Sequence, residues 1–330
     1  MKQFVEIAGW GKYLPEKVLS NHDLEKIVDT SDEWIVTRSG ISERRIISED
    51  ETTSTIAAAA ARQAMERAGV EAQDIDLIIL ATITGDYPNV PASASLVQDL
   101  LGIKCCGAFD LVAGCSGFVC GLVTGSQFIQ NGACRNVLVI GAESMTRVLD
   151  WTDRTTCVLF GDGAGAVVLR PTEKEGGLLS FVLGSDGAGA EHLFIPAGGT
   201  KAPASHDTVE RRQHYVKMNG KEVFKFASRI LPRAFHQTLE KAGIRPEEVS
   251  LLVPHQANIR IIESARQNLA VPEDAIYVNV NRYGNTSSAS IPVALCEAIE
   301  EGRLKPGSIL AMVAFGAGLT WGSVAWRWQG

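Results

Sequence analysis

The feature that most limits how this chain can fold is an internal repeat. Residues 65–80 read MERAGVEAQDIDLIIL, residues 239–254 read LEKAGIRPEEVSLLVP, and the two segments match in register. Each contains the end of a helix, a glycine that stops the helix, an acidic loop and an apolar strand. Because repeated units of this kind pack side by side, the chain is predicted to consist of two similar halves that share one core.

Both halves are expected to belong to the α/β class. The apolar run at 76–82 is typical of a strand that is buried on both faces of a parallel sheet, and the alanine-rich run at 52–68 before it predicts a helix. The length of 330 residues agrees with two domains or one large duplicated domain. We place the boundary so that residues 1–170 form an N-terminal half and residues 171–330 a C-terminal half.

The composition excludes several classes of protein. Hydrophobic residues make up 45% and charged residues 21% of the chain, which is typical of a globular protein with a sizeable core. No apolar run reaches the ~18 residues of a membrane span, and the N-terminus lacks the apolar stretch of a secretory signal, so we expect a cytoplasmic protein with no membrane partner. A net charge of −7 argues against nucleic-acid binding. The seven cysteines form no C-x-x-C pair and no histidines stand at ligand spacing, which predicts reduced thiols and no metal site.

One cysteine occupies a position that favours reactivity. The stretch at 107–125, GAFDLVAGCSGFVCGLVTG, predicts a buried strand, a tight turn at Gly114 and a helix that begins at Cys115. The helix dipole contributes up to ~2 kcal/mol, which would lower the pKa of this thiol from about 8.5 towards about 7. Since the thiolate is the attacking species, Cys115 is a candidate nucleophile; the alternative is a small residue of the core.

The helix that follows Cys115 carries glycine at every fourth position. Gly117, Gly121 and Gly125 together cost roughly 2–3 kcal/mol of helix propensity relative to alanine. A helix that contains such a stripe is expected to be crossed at close range by another backbone.

The repeat predicts a second central helix in the C-terminal half. It should follow a strand at 275–280 and occupy residues 285–298, with Asn285 as its N-cap and a kink at Pro292. Cys115 and Asn285 would then lie at corresponding helix starts and face one pocket.

Two further segments supply groups suited to a reaction at the same place. His255 follows the strand at 251–253, and the carboxyl ends of buried strands are where α/β folds bind ligands. A single histidine is more often structural, but a cysteine, a histidine and an asparagine at three strand ends of a repeated sheet favour a common site. The small-residue turn at 315–318 has backbone N–H groups suited to an oxyanion; the alternative is an ordinary tight turn.

A predicted helix near the N-terminus carries Trp34 and Arg38 one turn apart on one face. A cation beside an exposed aromatic ring suits stacking on a flat ligand. The alternative is a tryptophan packed in the core with its arginine in water.

Six segments of the sequence are specific enough to indicate a family. They are TSDEWIVTR at 30–38, the turn around Cys115, FGDGAG at 160–165, VPHQAN at 253–258, GNTS at 284–287 and TWG at 320–322. With them the chain resembles, over nearly its whole length, the β-ketoacyl-[acyl carrier protein] synthase III family of the thiolase superfamily. The resemblance implies a thiolase-like fold, in which two copies of an α/β unit form five layers in the order α-β-α-β-α.

The resemblance also implies an acyltransferase, the condensing enzyme that initiates type II fatty-acid synthesis. Cys115, His255 and Asn285 match the family's catalytic triad. The cysteine takes an acyl group from a short acyl-CoA, and malonyl-[acyl carrier protein] then loses CO2 and attacks the thioester to give β-ketoacyl-[acyl carrier protein]. Neutral His255 and the Asn285 amide would donate hydrogen bonds to the enolate oxygen, and the N–H groups of Cys115 and Ala317 would hold the oxyanion of acyl transfer. No cofactor is implied, since the CoA thioester is a substrate.

The family pattern implies binding residues as well. The positions that match the CoA site are Trp34, Arg38, Arg154, Gly220, Phe224, Ala257 and Asn258. Lys225 and Arg260 match a basic patch that receives the acidic carrier protein, and Met145 and Val90 match the acyl pocket. Val90 stands where acetyl-preferring members can carry a phenylalanine that closes the pocket from the partner subunit of a homodimer. The smaller valine predicts longer or branched acyl groups.

Several alternatives remain open from the sequence. Papain-like hydrolases use the same Cys-His-Asn set, which makes a thioester hydrolase one alternative, although the internal repeat and the lack of a papain-type local motif count against it. A condensing enzyme of polyketide or quinolone type, or an acyltransferase with another acceptor, would share the fold. The intact set of reactive residues disfavours a non-catalytic scaffold.

Overall fold

The structure is a computed structural model and describes residues 3–330. The strands in this range are β1 (Phe4–Tyr13), β2 (Lys17–Ser20), β3 (Glu43–Ile46), β4 (Leu77–Ala81), β5 (Gly107–Leu111), β6 (Val137–Glu143), β7 (Gly163–Thr172), β8 (Gly177–Ser185), β9 (Leu193–Phe194), β10 (Lys217–Met218), β11 (Val249–Pro254), β12 (Ile309–Gly316) and β13 (Thr320–Arg327). The α-helices are α1 (Asn21–Leu24), α2 (Asp32–Ser39), α3 (Thr53–Ala68), α4 (Ser93–Leu100), α5 (Gly117–Gln130), α6 (His206–Glu210), α7 (Gly220–Ala242), α8 (Ile259–Arg266), α9 (Val280–Tyr283) and α10 (Ser290–Glu300). The 3-10 turns Gly114–Ser116 and Ser287–Ala289 come directly before α5 and α10.

Two large mixed sheets form the framework. The first has the strand order β1-β7-β6-β4-β5, in which β4 is parallel to β5 and β6, and β7 is antiparallel to β6 and β1. The second has the order β11-β12-β13-β8, in which β11 and β12 are parallel and β13 is antiparallel to both of its neighbours. The chain passes from the first sheet to the second between Thr172 and Gly177.

Helices cover and separate the two sheets, which gives five layers. On the outer face of the first sheet, α3 and α4 share a buried cluster with Ile78 and Ile140. Between the sheets, Phe118 of α5 and Leu295 of α10 join strands of both sheets in one core. The outer face of the second sheet is covered by α7 and α8. This α-β-α-β-α order is the one expected from the sequence.

Capping residues in the sequence mark both ends of the helices near the N-terminus. Helix α3 begins after Thr52, whose side chain caps it, and ends at Gly69 with φ of 63°. Helix α2 begins after Ser31 and ends at Gly40 with φ of 74°. Glycine tolerates this left-handed conformation better than other residues. The fixed ends of α2 set the position of Trp34, which is important for the groove described below.

The glycine stripe of α5 faces side chains of the first sheet and not another backbone at close range, so that prediction was wrong. A Cβ atom added to Gly121 or Gly125 would lie 3.0 Å from a methyl group of Val139, on β6. One added to Gly117 would lie 3.0 Å from Cβ of Ala81, on β4. A spacing of four places residues on one helix face but does not say what that face contacts. Here the missing side chains let α5 lie close to the sheet.

The close backbone approach belongs to α10. A Cβ atom added to Gly165, on β7, would lie 2.8 Å from the backbone nitrogen of Val293. Pro292 does not kink this helix, contrary to the prediction, because α10 begins at Ser290 and has the proline in its first turn. The first N–H groups of a helix have no acceptor within it, so no hydrogen bond is lost to proline there.

The strand predicted at 275–280 is reduced to a single bridge between Leu252 and Ile276. Beyond this bridge the side chain of Gln256 takes the place of a neighbouring strand, since its Oε1 accepts the N–H of Asn279 over 2.9 Å. A buried backbone group needs a partner, and a side-chain amide serves as well as a second strand. The sheet therefore stops one strand earlier than the repeat predicts.

Candidate active site

Cys115 lies in the 3-10 turn Gly114–Ser116, two residues before the first residue of α5, and is 7% exposed. Burial raises the pKa of its thiol to about 12, a hydrogen bond with Ser287 lowers the pKa, and the charge of Glu143 raises it. The expectation of a pKa near about 7 was therefore wrong, because desolvation of a buried thiolate outweighs the effect of a helix terminus. At neutral pH Cys115 is a thiol, and any attack requires that its proton be removed.

His255 follows β11 and is 1% exposed. Burial lowers the pKa of the imidazole to about 3, so the ring is neutral near neutral pH. Its Nδ1 lies 2.6 Å from Oγ of Ser290. The backbone N–H of Gln256 donates to the same oxygen over 3.3 Å, so the hydroxyl of Ser290 connects the ring to the backbone beside it.

Asn285 is 7% exposed and is held by the FGDGAG segment. Its backbone N–H donates to the carbonyl of Leu159 over 2.8 Å, and its carbonyl accepts the N–H of Gly161 over 3.1 Å. Its Oδ1 accepts the N–H of Ser287 over 2.9 Å, two residues along the chain. Asn285 therefore holds the start of the turn Ser287–Ala289, and the prediction that it is the N-cap of the second central helix was wrong, because α10 begins at Ser290. Because Oδ1 is engaged, the Nδ2 hydrogens are what Asn285 can offer to a ligand.

The starts of α5 and α10 do correspond, but not through the predicted pair of residues. Gly114 and Ser287, with φ of 54° and 50°, occupy the same position before their helices. The counterpart of Cys115 is therefore Ser288, and Asn285 lies three residues earlier. The repeat thus brings the cysteine and the asparagine to one region through different positions of the two turns.

The turn after β12 packs directly on Cys115. A Cβ atom added to Gly316 would lie 3.2 Å from Cβ of Cys115, and one added to Gly114 would lie 2.7 Å from the backbone nitrogen of Ala317. The hydroxyl of Thr320 lies 3.1 Å from the carbonyl oxygen of Ala317 and holds the turn. The backbone nitrogens of Cys115 and Ala317 are therefore close together.

Cys115, His255 and Asn285 line one narrow cavity of about 120 Å³. Phe224 and Asn258 line this cavity and also a groove of about 410 Å³ on the surface. On its other side Cys115 lines an apolar cavity of about 420 Å³. The thiol thus lies where a passage from the surface meets an apolar pocket.

The surface groove contains nearly all of the predicted CoA-binding residues. Its lining includes Trp34, Arg38, Arg154, Gly220, Phe224 and Asn258, together with both residues of the predicted carrier-protein patch, Lys225 and Arg260. Ala257 lines the narrow cavity further in. The guanidinium groups of Arg38 and Arg154 lie 4.5 and 5.3 Å from the centre of the Trp34 ring. The ring is partly buried against the core, yet it still presents an aromatic surface with cations beside it.

The two residues predicted for the acyl pocket lie in different places. Met145 lines the apolar cavity beyond Cys115, with Phe160, Leu193 and Val216. Val90 is 81% exposed and does not line the cavity of its own chain. The role predicted for Val90 therefore requires a partner subunit and stays a prediction.

Comparisons with known proteins place the chain in a family. The family model described as 3-Oxoacyl-[acyl-carrier-protein (ACP)] synthase III matches residues 109–187, and the model for the C terminal of the same synthase matches residues 239–328. A β-ketoacyl-[acyl-carrier-protein] synthase III of Symbiobacterium thermophilum is 55% identical over 324 residues, which cover 98% of each chain. The chain belongs to the β-ketoacyl-[acyl-carrier-protein] synthase III family.

Other synthase III proteins agree in sequence and in fold. That of Caldanaerobacter subterraneus subsp. tengcongensis is 52% identical over 323 residues, 98% of this chain and 97% of the relative. The crystal structure of 3-oxoacyl-[acyl-carrier-protein] synthase III from Aquifex aeolicus is 48% identical, covers 98% of this chain and 100% of its own, and has a TM-score of 0.91. The predicted thiolase-like fold is confirmed.

Membership of the synthase III family makes the chain an acyltransferase, a condensing enzyme that initiates type II fatty-acid synthesis, as the resemblance implied. Across residues 3–330 no helix is long and apolar enough to cross a membrane. In the same range no group of three or more His, Cys, Asp or Glu side chains is placed to hold a metal ion.

Two buried residues near Cys115 were not predicted. Ser287 lines the apolar cavity together with Cys115, and Glu143 is a fully buried carboxyl at the end of β6. A signal for each was present in the sequence. Ser287 belongs to the GNTS segment, and Glu143 ends an otherwise apolar strand, a position where a buried charge requires several donors.

Proposed function

We propose that this protein takes an acyl group from acyl-CoA onto Cys115 and condenses it with malonyl-[acyl carrier protein] to form β-ketoacyl-[acyl carrier protein], CO2 and CoA. The observation that carries the proposal is the position of the thiol between the surface groove and an apolar cavity of about 420 Å³. A thioester needs a passage to the sulfur, and its acyl chain needs an apolar volume beyond it. Every group used belongs to the substrates or to this chain, so the proposed reaction needs no cofactor.

In the first half-reaction the Cys115 sulfur attacks the thioester carbonyl of acyl-CoA. The carbonyl oxygen becomes an oxyanion, which the N–H groups of Cys115 and Ala317 are proposed to bind. The close packing of the Ala317 turn on Cys115 supports this pair. Collapse of the intermediate expels CoA and leaves the acyl group on the cysteine.

In the second half-reaction the malonyl group loses CO2, and the electron pair of the broken C–C bond forms an enolate. We assign the Nε2–H of His255 and the Nδ2 of Asn285 as donors to the enolate oxygen, a role that suits a neutral imidazole. The carbon of the enolate then attacks the thioester on Cys115. The C–S bond breaks, and the β-ketoacyl product leaves on the carrier protein.

The groove around Trp34 is proposed to hold the adenine and phosphates of CoA. Trp34→Ala is expected to raise KM for acyl-CoA about tenfold with little change in kcat, because a stacking contact supports substrate and transition state alike. Steady-state kinetics measure this directly. Val36→Ala, an exposed residue of the same helix, is the matched control and should leave both constants unchanged. An equal fall in kcat would contradict a role limited to binding.

Lys225 and Arg260 are proposed to receive the acidic carrier protein. They lie in the same groove as the CoA-binding residues, so a carrier protein docked on them would have its pantetheine arm at the mouth of the passage. This local positive patch accounts for an acidic partner despite the net charge of −7.

We also propose that the chain acts as a homodimer. Each subunit would consist of two halves, residues 1–170 and 171–330. Strand β5 lies at the edge of the first sheet, and Val112 directly after it is 68% exposed. An unpaired strand edge and exposed apolar residues are what a second copy would cover. Val90 would then lie near the partner's acyl cavity, where a small side chain leaves room for longer or branched acyl groups.

The experiment that tests the function supplies the purified protein with malonyl-[acyl carrier protein] and acetyl-, butyryl- or isobutyryl-CoA. We expect β-ketoacyl-[acyl carrier protein] from each, with the four-carbon primers at least as good as acetyl-CoA, because the apolar cavity of about 420 Å³ exceeds what two carbons fill. Mass spectrometry of the carrier protein measures the product. A preference for acetyl-CoA of more than about tenfold, 1.4 kcal/mol, would contradict the primer assignment but not the condensation.

The alternatives predict other products. A thioester hydrolase releases free acid and CoA from acyl-CoA without any malonyl donor, and this result would overturn the proposed condensation. An acyltransferase with another acceptor would acylate Cys115 but leave malonyl-[acyl carrier protein] unchanged, and a condensing enzyme of polyketide or quinolone type would differ in the acyl-CoA or the malonyl donor that it prefers.

A further inference from the structure

Asp162 lies in the FGDGAG segment at 160–165 and has no role in the reaction proposed above. Its side chain is fully buried, and each of its two carboxylate oxygens accepts a backbone N–H group. Oδ1 accepts the N–H of Thr146 over 2.9 Å, and Oδ2 accepts the N–H of Ile47 over 2.9 Å. Oδ2 also accepts the hydroxyl of Thr146. Three donors from two separate segments thus converge on one carboxyl group.

This arrangement of donors requires an ionised carboxylate. A backbone N–H can only donate, so both oxygens of Asp162 have to accept. Burial raises the pKa of this carboxyl to about 6, and the bonds from Thr146 and Ile47 and the charge of Arg147 act against that rise. The carboxyl is therefore ionised near neutral pH. An amide in its place would turn its NH2 group towards a backbone N–H, and both donors would lack an acceptor.

The bonds to Thr146 fix the backbone beside a wall residue of the apolar cavity. Met145 precedes Thr146, is 1% exposed and lines the cavity beyond Cys115. On the other side of Met145, the N–H of Ser144 donates to the hydroxyl oxygen of Thr84 over 2.8 Å. Hydrogen bonds therefore hold the backbone on both sides of Met145, and one of these two anchors is Asp162.

A second wall residue belongs to the same segment of the chain as Asp162. Phe160 is 2% exposed, lines the same cavity and packs with Met145 in one buried cluster. The backbone N–H of Asp162 donates to the carbonyl of Arg45 over 2.9 Å, which fixes this segment against β3. The carboxyl of Asp162 thus connects the two segments that supply Met145 and Phe160 to the cavity wall.

We propose that Asp162 is a positioning residue for the acyl cavity and, through Met145 and Phe160, determines which acyl-CoA primers the protein prefers. The inference rests on the proposed function, in which Cys115 takes its acyl group from acyl-CoA. The methyl group of an acetyl thioester stays near the sulfur, whereas the third and fourth carbons of a butyryl group extend further into the cavity. One methylene in an apolar pocket changes relative rates by about 10–200-fold. A displaced wall should therefore slow butyryl transfer more than acetyl transfer.

Asp162→Asn tests this by competition between two primers on the same protein. The full chain is mixed with equal concentrations of acetyl- and butyryl-CoA, and intact mass at early times gives the ratio of the two adducts on Cys115. We expect the ratio of butyryl to acetyl adduct to fall at least about fivefold relative to the unaltered chain. A smaller fraction of folded protein lowers both adducts equally, so the ratio reports the wall and not stability. An unchanged or raised ratio overturns the proposal.

Asp76→Asn is the matched control. Oδ2 of Asp76 accepts the N–H groups of Arg135 and Asn136 over 2.6 and 3.0 Å, so this variant also removes a carboxylate with two backbone donors. Asp76 precedes β4, whereas the cavity residue Ile83 follows this strand. We expect the adduct ratio to stay within about twofold of the unaltered chain. A shift as large as that of Asp162→Asn would mean that loss of stability alone changes the ratio, and would overturn the proposal.

Thr146→Val keeps the proposal testable if Asp162→Asn does not fold. Valine has nearly the shape of threonine and keeps the N–H that Oδ1 of Asp162 accepts, but it lacks the hydroxyl that Oδ2 accepts. We expect the ratio of butyryl to acetyl adduct to fall about threefold, because one of three hydrogen bonds is lost. An unchanged ratio in this variant overturns the proposal.

The same mixture of primers distinguishes this inference from the function on which it rests. Acyl adducts on Cys115 of the unaltered chain, with an unchanged ratio in Asp162→Asn, overturn the role of Asp162 and leave the proposed function standing. No adduct from either primer on the unaltered chain overturns the proposed function, and this inference with it.

Discussion

Cys115→Ala is expected to abolish acylation and to slow condensation by about 10⁶-fold, the scale on which loss of a catalytic nucleophile acts. Alanine removes only the sulfur from a residue that is 7% exposed, so the turn Gly114–Ser116 should keep its structure. Cys115 is the one cysteine among the residues that line the narrow cavity in the described part of the chain, so no other group there can form a thioester. Intact mass after incubation with butyryl-CoA checks this: one adduct on the unaltered chain and none on the variant.

The same variant should still decarboxylate malonyl-[acyl carrier protein], because the positions of His255 and Asn285 do not depend on the sulfur. We expect CO2 release within about tenfold of the unaltered chain, which the loss of one neighbouring contact allows. Cys134→Ala is the control, since Cys134 lies just before the start of β6, whereas Cys115 follows the carboxyl end of the parallel strand β5. An adduct that persists in Cys115→Ala would place the nucleophile at another cysteine.

Asn285→Asp is expected to slow condensation by about 10³-fold while acylation by acyl-CoA changes severalfold at most. Aspartate is isosteric and keeps an oxygen for the N–H of Ser287, so the cap of the turn survives. It replaces the amide donor with a carboxylate that repels the enolate. Loss of one oxyanion donor alone costs ~10²–10³ in kcat, and the added charge increases the loss. Single-turnover condensation of pre-acylated protein with malonyl-[acyl carrier protein] measures the effect.

Asn285→Ala is the companion variant, since it loses the donor without adding a charge. It should condense faster than Asn285→Asp, although more slowly than the unaltered chain. If Asn285→Asp lowered acylation as strongly as condensation, its assignment to the enolate would be wrong, and its contribution would lie in the fold of the turn Ser287–Ala289.

Much of the framework could be predicted because its signals are local in the sequence. The N-cap Thr52 and the glycine Gly69 mark the ends of α3 within one residue, since both act through hydrogen bonds to adjacent turns. The repeat of 65–80 in 239–254 reveals the two similar sheets because each copy contains a complete helix-to-strand connection. These features do not depend on what packs against them.

The features that could not be predicted depend on distant contacts. The pattern of glycines in α5 fixes a face, but only the packed chain shows that Val139 lies opposite. The pKa of Cys115 was misjudged because burial, which raises it, is a property of the whole fold. The missing strand at 275–280 follows from the side chain of Gln256, whose hydrogen bonds a pattern of apolar residues does not contain.

Some features of the candidate site could likewise be predicted from the sequence, and others depend on contacts between distant residues. His255 could be placed after a strand from the sequence pattern, and Asn285 could be found by resemblance, because each lies in a recognisable segment; the strand expected before Asn285 is absent from the fold. The contact between Glu143 and Ser287 joins residues 144 positions apart, and no spacing rule connects them. Motif GNTS contains the serine, but its partner is visible only in the folded chain.

The narrow cavity in front of Cys115 also has a kinetic consequence. In the proposed reaction the arms of CoA and of the carrier protein both reach Cys115 through this one cavity, so each uses it in turn. CoA has to leave the narrow cavity before the malonyl group can reach the acylated cysteine. The shared cavity therefore fixes the order of the two half-reactions. Free CoA that enters the cavity again keeps the carrier protein's arm out. In the proposed reaction a higher ratio of CoA to carrier protein therefore lowers the rate at which new chains begin.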